Sequence, residues 1–257
     1  MTGPQADHQT VPQYVYGVTR ADAAPPNGLT GLDDLPVRVV AHGRIAALSS
    51  DLPSGRPLGE RADLMAHQRV LQTLVDAGTP VLPFRFGAAL ADADAVRGEL
   101  LENNADRLTA ALDRVDGRVA VRVKATYEED AVLREVIEDD PEIAELSARL
   151  RAVPEDAADA VHFDRVRLGE MIVQVLRDRR ERDGTRLLSA LAPFAESAVA
   201  HEPVREEDVV DASFLVGEAQ RDGFQKAVDD LVEENRDRIR LRLVGPLPPY
   251  DFVPEGG

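Results

Sequence analysis

The chain contains no cysteine and no tryptophan, and its aromatic rings come from only 7 phenylalanines and 4 tyrosines. The absence of cysteine excludes disulfides, thiolate metal sites and cysteine nucleophiles. The opening MTGPQADHQTVPQ has neither a basic start nor an apolar run, and no later run approaches the roughly 18 apolar residues of a membrane span. These absences predict a soluble protein of a reducing compartment, the cytoplasm.

Lysine is nearly absent, and the acidic excess is concentrated in two segments. Lys124 and Lys226 stand against 28 arginines, and the formal net charge is −17. Residues 128–159 carry 12 acids and 3 bases, and residues 202–237 carry 12 acids and 4 bases, so the remainder of the chain is balanced. A surface basic enough to neutralise many phosphates is therefore not expected. Nucleic acid and anionic membranes are excluded as expected partners.

The sequence also lacks the usual signatures of catalysis and cofactor binding. No two histidines stand three or four residues apart, as a helical zinc site requires. The five histidines are His8, His42, His67, His162 and His201. G-x-G-x-x-G, G-x-x-x-x-G-K-[ST] and G-x-S-x-G are all missing. We therefore expect no enzyme, no catalytic residue, no metal and no cofactor.

Two acidic features could suggest cation sites, but neither is favoured as one. Asp92 and Asp94 resemble the start of a calcium loop, yet Val96 occupies the third expected ligand position. The acidic run over residues 138–142 could chelate a hard cation. Because Asp140 precedes a proline at the start of an expected helix, an N-cap is favoured over a metal site.

His67 and a group of arginines are the remaining local candidates. His67 stands about one helical turn from Leu64 and from Leu71, at the margin of an apolar stripe, which favours a core-edge histidine over a general base. Acidic residues interleave the arginines, which favours a solvated helix face whose charges pair with one another over an anion site. The arginines are Arg177, Arg179, Arg180 and Arg182.

The apolar spacing predicts an α+β fold with two domains, each with ferredoxin-like sheet elements, and a helical middle segment. Residues 1–12 are expected to be a disordered tail. Residues 13–127 are assigned to an N-terminal α+β ferredoxin-like domain. Its predicted elements are a strand over 14–18, a hairpin over 37–48, helices over 60–77 and 92–112, and a strand over 118–127. The two helices are expected to bury Leu64, Leu71, Leu74 and Val75, and Val96, Leu100, Leu108 and Leu112, respectively.

The second half begins with helices and ends with strands. Residues 128–200 are assigned to the helical segment of a C-terminal domain, and residues 201–257 to its βαβ portion with an extended tail. The last elements are a strand over 212–216, a helix over 222–235 and a strand over 238–244. The tail from Gly245 to Val253 is too rich in proline to continue a ladder and is expected to wrap as an extended edge.

The segment TPVLPFRFG, Thr79 to Gly87, is unusual for a buried strand because it contains two prolines and an arginine. Each proline removes a ladder hydrogen bond, which favours a strand that starts late or pairs on one side only. Phe84 and Phe86 stand two apart, so both rings are expected on one face, with Arg85 on the other. Arg85 is expected to lock the two domains together or to face a partner, since its charge must leave the core or be paired.

Three segments, YVYGV, HQRVLQTLVDAGTPVLPFRFG and GPLPPYDF, together resemble the GvpF/GvpL family of gas vesicle proteins. They occur in the family's order and span nearly the whole chain. The resemblance implies a two-domain α+β protein without catalysis, a minor structural component or chaperone-like assembly factor of gas vesicles. It implies binding to GvpA, the small hydrophobic shell protein, during vesicle nucleation and formation, with other gas vesicle accessory proteins as further partners. The implied location is the gas vesicle.

The resemblance rests on ten motif residues, for which a structural role is favoured over partner contact because apolar side chains in strands are usually core. They are Pro83, Phe84, Arg85, Phe86, Gly87, Gly245, Pro246, Pro248, Pro249 and Tyr250. A small-ligand-binding regulatory module is the alternative function, and it would need a pocket lined by convergent polar groups. An RNA binder would need exposed aromatics and a basic face, which the charge distribution disfavours.

Overall fold

The computed structural model describes residues 11–23, 25–154 and 161–253. They form two compact units. The first unit holds the described residues up to Ala120 and those from Gly245 onward, and the second runs from Val121 to Val244. Each unit combines a β-sheet with helices, so the predicted α+β class is confirmed. The tail predicted over residues 1–12 lies almost wholly outside the described residues.

The first unit is built on an antiparallel sheet. Its elements are β1 Gln13–Arg20, a 3-10 turn Leu32–Asp34, β2 Arg38–His42, β3 Ile45–Asp51, α1 Arg61–Asp76, β4 Val81–Pro83, β5 Ala89–Leu90, α2 Ala93–Ala95, a π-helical turn Val96–Leu101, a 3-10 turn Glu102–Asn104 and α3 Ala105–Val115. The strand order is β2-β3-β1-β4, and β5 pairs with the start of β1. The predicted hairpin over 37–48 is confirmed as β2 and β3.

Both faces of this sheet are buried. Tyr14 and Tyr16 of β1 pack in one cluster with apolar residues of α1. Val15 and Val18 pack in a second cluster with residues of the π-helical turn and α3. A register shift in β1 between Val15 and Gly17 changes the alternation, so that Val18 joins Val15. The sheet is therefore covered by helices on two sides.

The second unit has the element order βαββαβ of a ferredoxin-like fold, with three helices in its first crossover. Its elements are β6 Arg118–Tyr127, α4 Glu129–Asp139, α5 Pro141–Arg151, α6 His162–Leu191, a 3-10 turn Ala192–Phe194, β7 Ser197–Ala200, β8 Asp208–Gly217, a 3-10 turn Glu218–Gln220, α7 Arg221–Glu234 and β9 Ile239–Leu247. A 3-10 turn Tyr250–Phe252 follows. The strand order is β7-β8-β6-β9.

The structure differs from the sequence interpretation in two assignments of chain to unit. The strand over 118–127 was expected to close the first domain, but β6 lies between β8 and β9 of the second sheet. Arg122 on β6 forms two hydrogen bonds with Asp211 on β8, at 2.5 and 2.8 Å, an ion pair between residues 89 apart that local patterns do not reveal. Residues from Gly245 onward were expected to stay with the C-terminal domain, but they contribute side chains to the first unit.

Two helices also depart from their predicted faces. In α1, Leu64 is 47 % exposed, and the buried row contains Asp63, His67 and Leu71 instead. The helix expected over 92–112 is interrupted by the π-helical turn, whose extra residue per turn shifts the row, so that Leu101 is fully buried and Leu100 only partly. Strand β7 was not predicted, because its four residues carry no clear alternation.

The expected N-cap at Asp140 is confirmed, and Asp92, for which the sequence predicts no role, also caps a helix. The Asp140 carboxylate accepts hydrogen bonds from the backbone N–H groups of Glu142 and Ile143, at 3.0 and 3.1 Å. The Asp92 carboxylate accepts one from Ala95 N–H at 2.8 Å. These bonds satisfy helix N-termini that would otherwise lack acceptors.

The arginine cluster differs from the expected self-paired face. Arg179 is largely buried and reaches across to α4, where it pairs with Glu135 at 2.7 Å and with Asp139 at 2.8 Å. Within its own helix, the Arg182 side chain donates to the Asp178 carbonyl. The cluster therefore connects two helices of the second unit, which interleaved charges along one helix did not indicate.

Candidate functional site

The two motif segments, residues 83–87 and 245–250, meet at His67 in the first unit. The side chain of His67 is held by α1, whose start is fixed by a capping box between Glu60 and Asp63. The Asp63 carboxylate is 2 % exposed and also pairs with Arg56. Hydrogen bonds from Arg56 hold the pKa of Asp63 well below its usual range, so this anchor stays ionised. The helix therefore presents His67 from a fixed N-terminus.

His67 is 3 % exposed, and both nitrogens of its ring lie within hydrogen-bond distance of protein oxygens. Its Nδ1 lies 2.8 Å from the Tyr14 hydroxyl, and its Nε2 lies 3.1 Å from the Phe84 carbonyl oxygen and 3.1 Å from the Tyr250 hydroxyl. A carbonyl oxygen can only accept, so the ring proton belongs on Nε2. Nδ1 then accepts from the Tyr14 hydroxyl, which in turn accepts from the Gly87 N–H at 3.2 Å. The network connects both motif segments through one neutral imidazole.

Burial keeps the members of this network uncharged near neutral pH. It lowers the pKa of His67 below its usual value, and the partial burial of Tyr250, which is 38 % exposed, raises the pKa of that hydroxyl to about 12. Burial also moves the pKa of Tyr14 well above its usual range. The network therefore has no charged group ready to act as a nucleophile or an anion binder. The interpretation of His67 as a core histidine agrees with this geometry, although the residue lies at the centre of the buried row and not at its margin.

Aromatic rings surround the imidazole. The His67 ring stacks on Tyr16 with centroids 5.7 Å apart, and Tyr14 and Phe86 meet it edge-on at 5.7 and 5.8 Å. Aromatic pairs at such distances stabilise a fold beyond the area they bury. Three of the chain's 11 benzene-type rings are thus gathered around one histidine.

The first motif segment does not place its rings as expected. Phe84 packs in the cluster of Val15, whereas Phe86 packs with Tyr14 in the other cluster. The alternation fails because β4 ends at Pro83, so the two phenylalanines do not share a strand. Gly87 has φ +99, a conformation that favours glycine, and this turns its N–H toward the Tyr14 hydroxyl. Arg85 is exposed and forms no ion pair with the described residues.

The second motif segment reaches both faces of the first sheet. Pro246 lies in β9, and its carbonyl accepts a hydrogen bond from the Gln72 side chain of α1 at 3.0 Å. Tyr250 bonds to His67, and Phe252 packs against the opposite cluster. Gly245 precedes Pro246 in the strand, while Pro248 and Pro249 are buried and their carbonyls accept from Tyr250 and Phe252 N–H groups. The tail therefore continues the ladder as far as Leu247, beyond the predicted end at Val244.

One sign of this site lies in the spacing of residues along α1. The buried residues Asp63, His67, Val70, Leu71 and Leu74 form a regular helical row, which places His67 in the core. The row expected from the sequence includes Leu64 instead and leaves His67 at its margin. The contacts of His67 with Tyr14 and Tyr250 join positions 53 and 183 residues apart, which local spacing does not encode.

The second unit contains a different polar cluster, centred on Asp183 of α6. The Tyr127 hydroxyl donates to Asp183 at 2.6 Å, and Arg238 donates to the same carboxylate at 2.5 and 3.1 Å. Arg238 also donates to Glu135 at 2.7 Å. Burial alone would raise the pKa of Asp183, but the bonds from Arg238 and Tyr127 hold it below the usual range. The ion pairs and hydrogen bonds of this cluster connect α4, α6 and the ends of β6 and β9.

Within the described residues, histidine, aspartate and glutamate side chains form no group of three or more with the geometry to hold a metal ion. No helix in the described part of the chain combines the length and the apolar character that crossing a membrane requires.

Comparisons with known proteins identify the family. The family model described as gas vesicle synthesis protein GvpL/GvpF matches residues 12–254. Gas vesicle protein F of Streptomyces sp. (strain CB03234) is 37 % identical over 93 % of this chain and 98 % of its own, and gas vesicle protein L of the same strain is 30 % identical over 94 % and 92 %. The crystal structure of GvpF from Anabaena sp. PCC7120, at 22 % identity, has the same fold, with a TM-score of 0.82 over 96 % of this chain and all of that one. The chain therefore belongs to the GvpL/GvpF family of gas vesicle proteins.

Proposed function

We propose that this protein is a minor structural and assembly component of gas vesicles that binds the small hydrophobic shell protein GvpA in a chaperone-like way. The observation that carries the proposal is the family match, which extends over residues 12–254 and is supported by relatives named gas vesicle protein F and L. A shell monomer rich in apolar strands is prone to aggregate before assembly, because unpaired strand edges pair with one another. An acidic companion of net charge −17 would keep such a complex in solution.

An open sheet edge supplies the means of binding. β2 is an edge strand of the first sheet, and its Val39 is 40 % exposed. The two-residue turn between His42 and Ile45 makes that pair hydrogen-bonded, so by alternation Val39 and Ala41 direct their backbone groups outward. A strand of the shell protein can add to this edge, with backbone hydrogen bonds giving affinity.

The motif residues take a supporting role in this proposal. The bonds from Gln72 to Pro246 and from His67 to Tyr250 and Phe84 fasten the tail to α1, and so keep the first sheet rigid. Arg85, exposed and without an ion pair among the described residues, is the motif residue best placed for partner contact. Catalysis, nucleic acid and membranes have no part in the proposed role. The proposed location is the cytoplasm, at the forming vesicle, together with other gas vesicle accessory proteins.

The test is co-expression with GvpA, followed by measurement of soluble GvpA and recovery of a complex. Ala41→Pro removes an outward N–H of β2 without touching the ladder to β3, so it should lower soluble GvpA while the protein itself stays folded. Ala198→Pro on β7, the edge strand of the second sheet, is the matched control and should have no effect. If GvpA stays equally insoluble with and without the unmodified protein, the chaperone-like role is wrong. If only Ala198→Pro matters, the role survives but the surface is misplaced.

A further inference from the structure

One face of α6 is buried at its C-terminal end and open at its N-terminal end. Gly184, Leu187 and Leu191 are buried, and a Cβ added at Gly184 would lie 3.1 Å from the Val209 carbonyl oxygen of β8. Val173 and Val166 precede Gly184 by 11 and 18 residues, which places them on the same helical face. They are 52 % and 47 % exposed. As far as the described residues show, the apolar face that packs on the sheet thus continues past it and is about half exposed there.

Two adjoining cavities lie beside the open part of this face. The first, of about 230 Å³, has an apolar floor formed by Tyr127, Val132, Leu133, Val173 and Leu176. The second, of about 360 Å³, lies between α6 and the chain from Ala200 to Asp211. Arg177 and Arg180 line both cavities, so the two cavities form one groove. We call these two cavities together with Val166 and Val173 the α6 groove.

The two most exposed large apolar side chains of the described residues belong to segments that also contribute to the α6 groove. Val204, in the connection between β7 and β8, is 88 % exposed, and Phe163, at the start of α6, is 86 % exposed. Val204 neighbours Pro203, which lines the second cavity. Exposed apolar side chains rimmed by polar residues are typical of an interaction site.

The charge around the α6 groove indicates the sign of the partner. Glu129, Glu206 and Glu207 line it. They belong to the two segments, 128–159 and 202–237, that together account for the whole net charge of −17. Arg180 donates to the Glu206 carbonyl at 3.2 Å and keeps its charge, so two arginines, Arg177 and Arg180, stand against the three glutamates. The surrounding field is therefore negative and attracts a cationic partner.

We propose that the α6 groove binds an amphipathic helix of another protein, whose apolar stripe fills the floor and whose lysines or arginines meet Glu129 and Glu206. A helix fits better than a strand because the walls are mainly helix faces, which receive side chains spaced three and four residues apart. A second copy of this chain is disfavoured because two acidic surfaces repel. The proposal goes beyond the proposed function, since it needs neither GvpA nor the β2 edge.

The test uses the full chain and synthetic peptides of about 14 residues, or four helical turns. The first peptide has leucines at helical spacing and lysines on both flanks. The second has the same residues in scrambled order, and the third carries glutamates in place of the lysines. Calorimetric titration should give at least about tenfold tighter binding for the first peptide than for either of the others. Equal binding of the ordered and scrambled lysine peptides would show charge attraction alone and overturn the proposal.

Variants locate the binding on the groove. Val173→Asp should weaken the lysine peptide at least about tenfold. Leu64→Asp, at a first-unit position of similar exposure, should leave it unchanged. Glu129→Lys with Glu206→Lys should weaken binding about threefold at low salt and less at high salt, and Arg177→Glu should strengthen it.

Unchanged circular dichroism shows that Val173→Asp still folds, since Val173 is half exposed. If Val173→Asp binds as the unmodified chain does, or if it only dissolves a dimer seen by sedimentation, the proposal fails. Soluble GvpA in the co-expression test should not respond to Val173→Asp, so the two proposals can fail separately.

Discussion

The first and second units arrange their strands alike but connect them differently. In both sheets the second strand along the chain lies at one edge, followed by the third, the first and the fourth. The first two strands are joined in the first unit by a loop whose described residues, 21–23 and 25–37, contain one 3-10 turn, and in the second unit by α4, α5 and α6. The same strand order therefore does not require a helical crossover, provided that the loop covers the sheet by other means.

The loop of the first unit covers the sheet with apolar side chains of its own and is fixed there by a polar contact at Leu32. Leu32 is fully buried, and its N–H donates to the Tyr16 hydroxyl at 2.9 Å. The Tyr16 hydroxyl also lies 2.9 Å from the Ser50 hydroxyl, so β1, β3 and the loop meet at one oxygen. The helices of the second unit instead cover the sheet with long apolar faces. A loop thus needs specific polar contacts where helices rely on area.

The two units also differ in the charge of their buried polar clusters. The cluster of the first unit, around His67, is neutral, whereas the cluster of the second unit, around Asp183, is ionic. A neutral cluster costs little to bury, and an ionic one is stable only while every charge has its partner. The units should therefore respond differently to the loss of one side chain and to pH. Three variants test this difference, and a fourth, Gly31→Ala, tests the loop contact of the first unit.

The largest effect is expected from Asp183→Ala. Arg238 would keep Glu135 but lose its main counter-charge, and Tyr127 would lose its acceptor. Removing one member of a buried ion pair costs about 3–5 kcal/mol. Urea unfolding followed by hydrogen exchange should show the second unit opening early while the amides of the first unit keep their protection. Arg236→Ala, which breaks an exposed pair with Glu233, is the control and should change stability by less than about 0.5 kcal/mol. Equal effects of the two variants would show that the Asp183 cluster does not stabilise the second unit.

The next largest effect is expected from Gly31→Ala in the loop of the first unit. An added Cβ would lie 1.8 Å from the Tyr16 hydroxyl, so the ring or the loop must move and the bonds to Leu32 and Ser50 would break. Such overpacking costs about 1–3 kcal/mol. Gly98→Ala, where the added Cβ meets nothing within 4 Å, is the control. A thermal midpoint of Gly31→Ala equal to that of the control would show that the loop is not held at this contact.

These contrasts define what the sequence could predict. The hairpin β2–β3 and the end of α1 just before Gly78 follow from local signals, since turn residues and helix stops act over a few positions. The Asp140 cap is equally local. The membership of β6 in the second sheet depends instead on its pairing with β8, nearly 90 residues away. Periodicity indicates that β6 is a strand but not which sheet receives it.

The candidate site divides in the same way. The motif residues could be recognised from the sequence, but the contact of both motif segments with His67 could not. The helical spacing of α1 allows either Leu64 or His67 to lie on the buried face. Phe84 and Phe86 were assigned to one face by strand alternation, and they lie in different clusters because Pro83 ends the strand before them. The residue at which β4 ends therefore affects the site more than the assignment of the segment as a strand does.

The stability of the first unit should depend on pH through His67. Burial lowers the pKa of His67 in the folded protein below its unfolded value of about 6.5, so between those values the unfolded chain binds more protons. Stability of the first unit should therefore fall as pH drops from about 6.5 toward 5, by at most about 1.4 kcal/mol per pH unit. His67→Gln should remove this slope, whereas His42→Gln, outside the network, should keep it. Thermal midpoints at pH 7, 6 and 5 measure it, and a slope that persists in His67→Gln would assign it elsewhere.

The smallest effect is expected from Tyr250→Phe, which removes one neutral hydrogen bond and keeps the ring. His67 Nε2 would still donate to the Phe84 carbonyl, so no buried donor is left unpaired and the cost should be about 1 kcal/mol or less. The loss should be local, with faster hydrogen exchange at Tyr250 and Phe252 and no change in the second unit. Met65→Ala, at a 59 % exposed position of α1, is the control and should leave those amides unchanged. A loss as large as that of Asp183→Ala would show that the neutral network is as cooperative as the ionic one. The contrast between the two units would then rest on their crossovers alone.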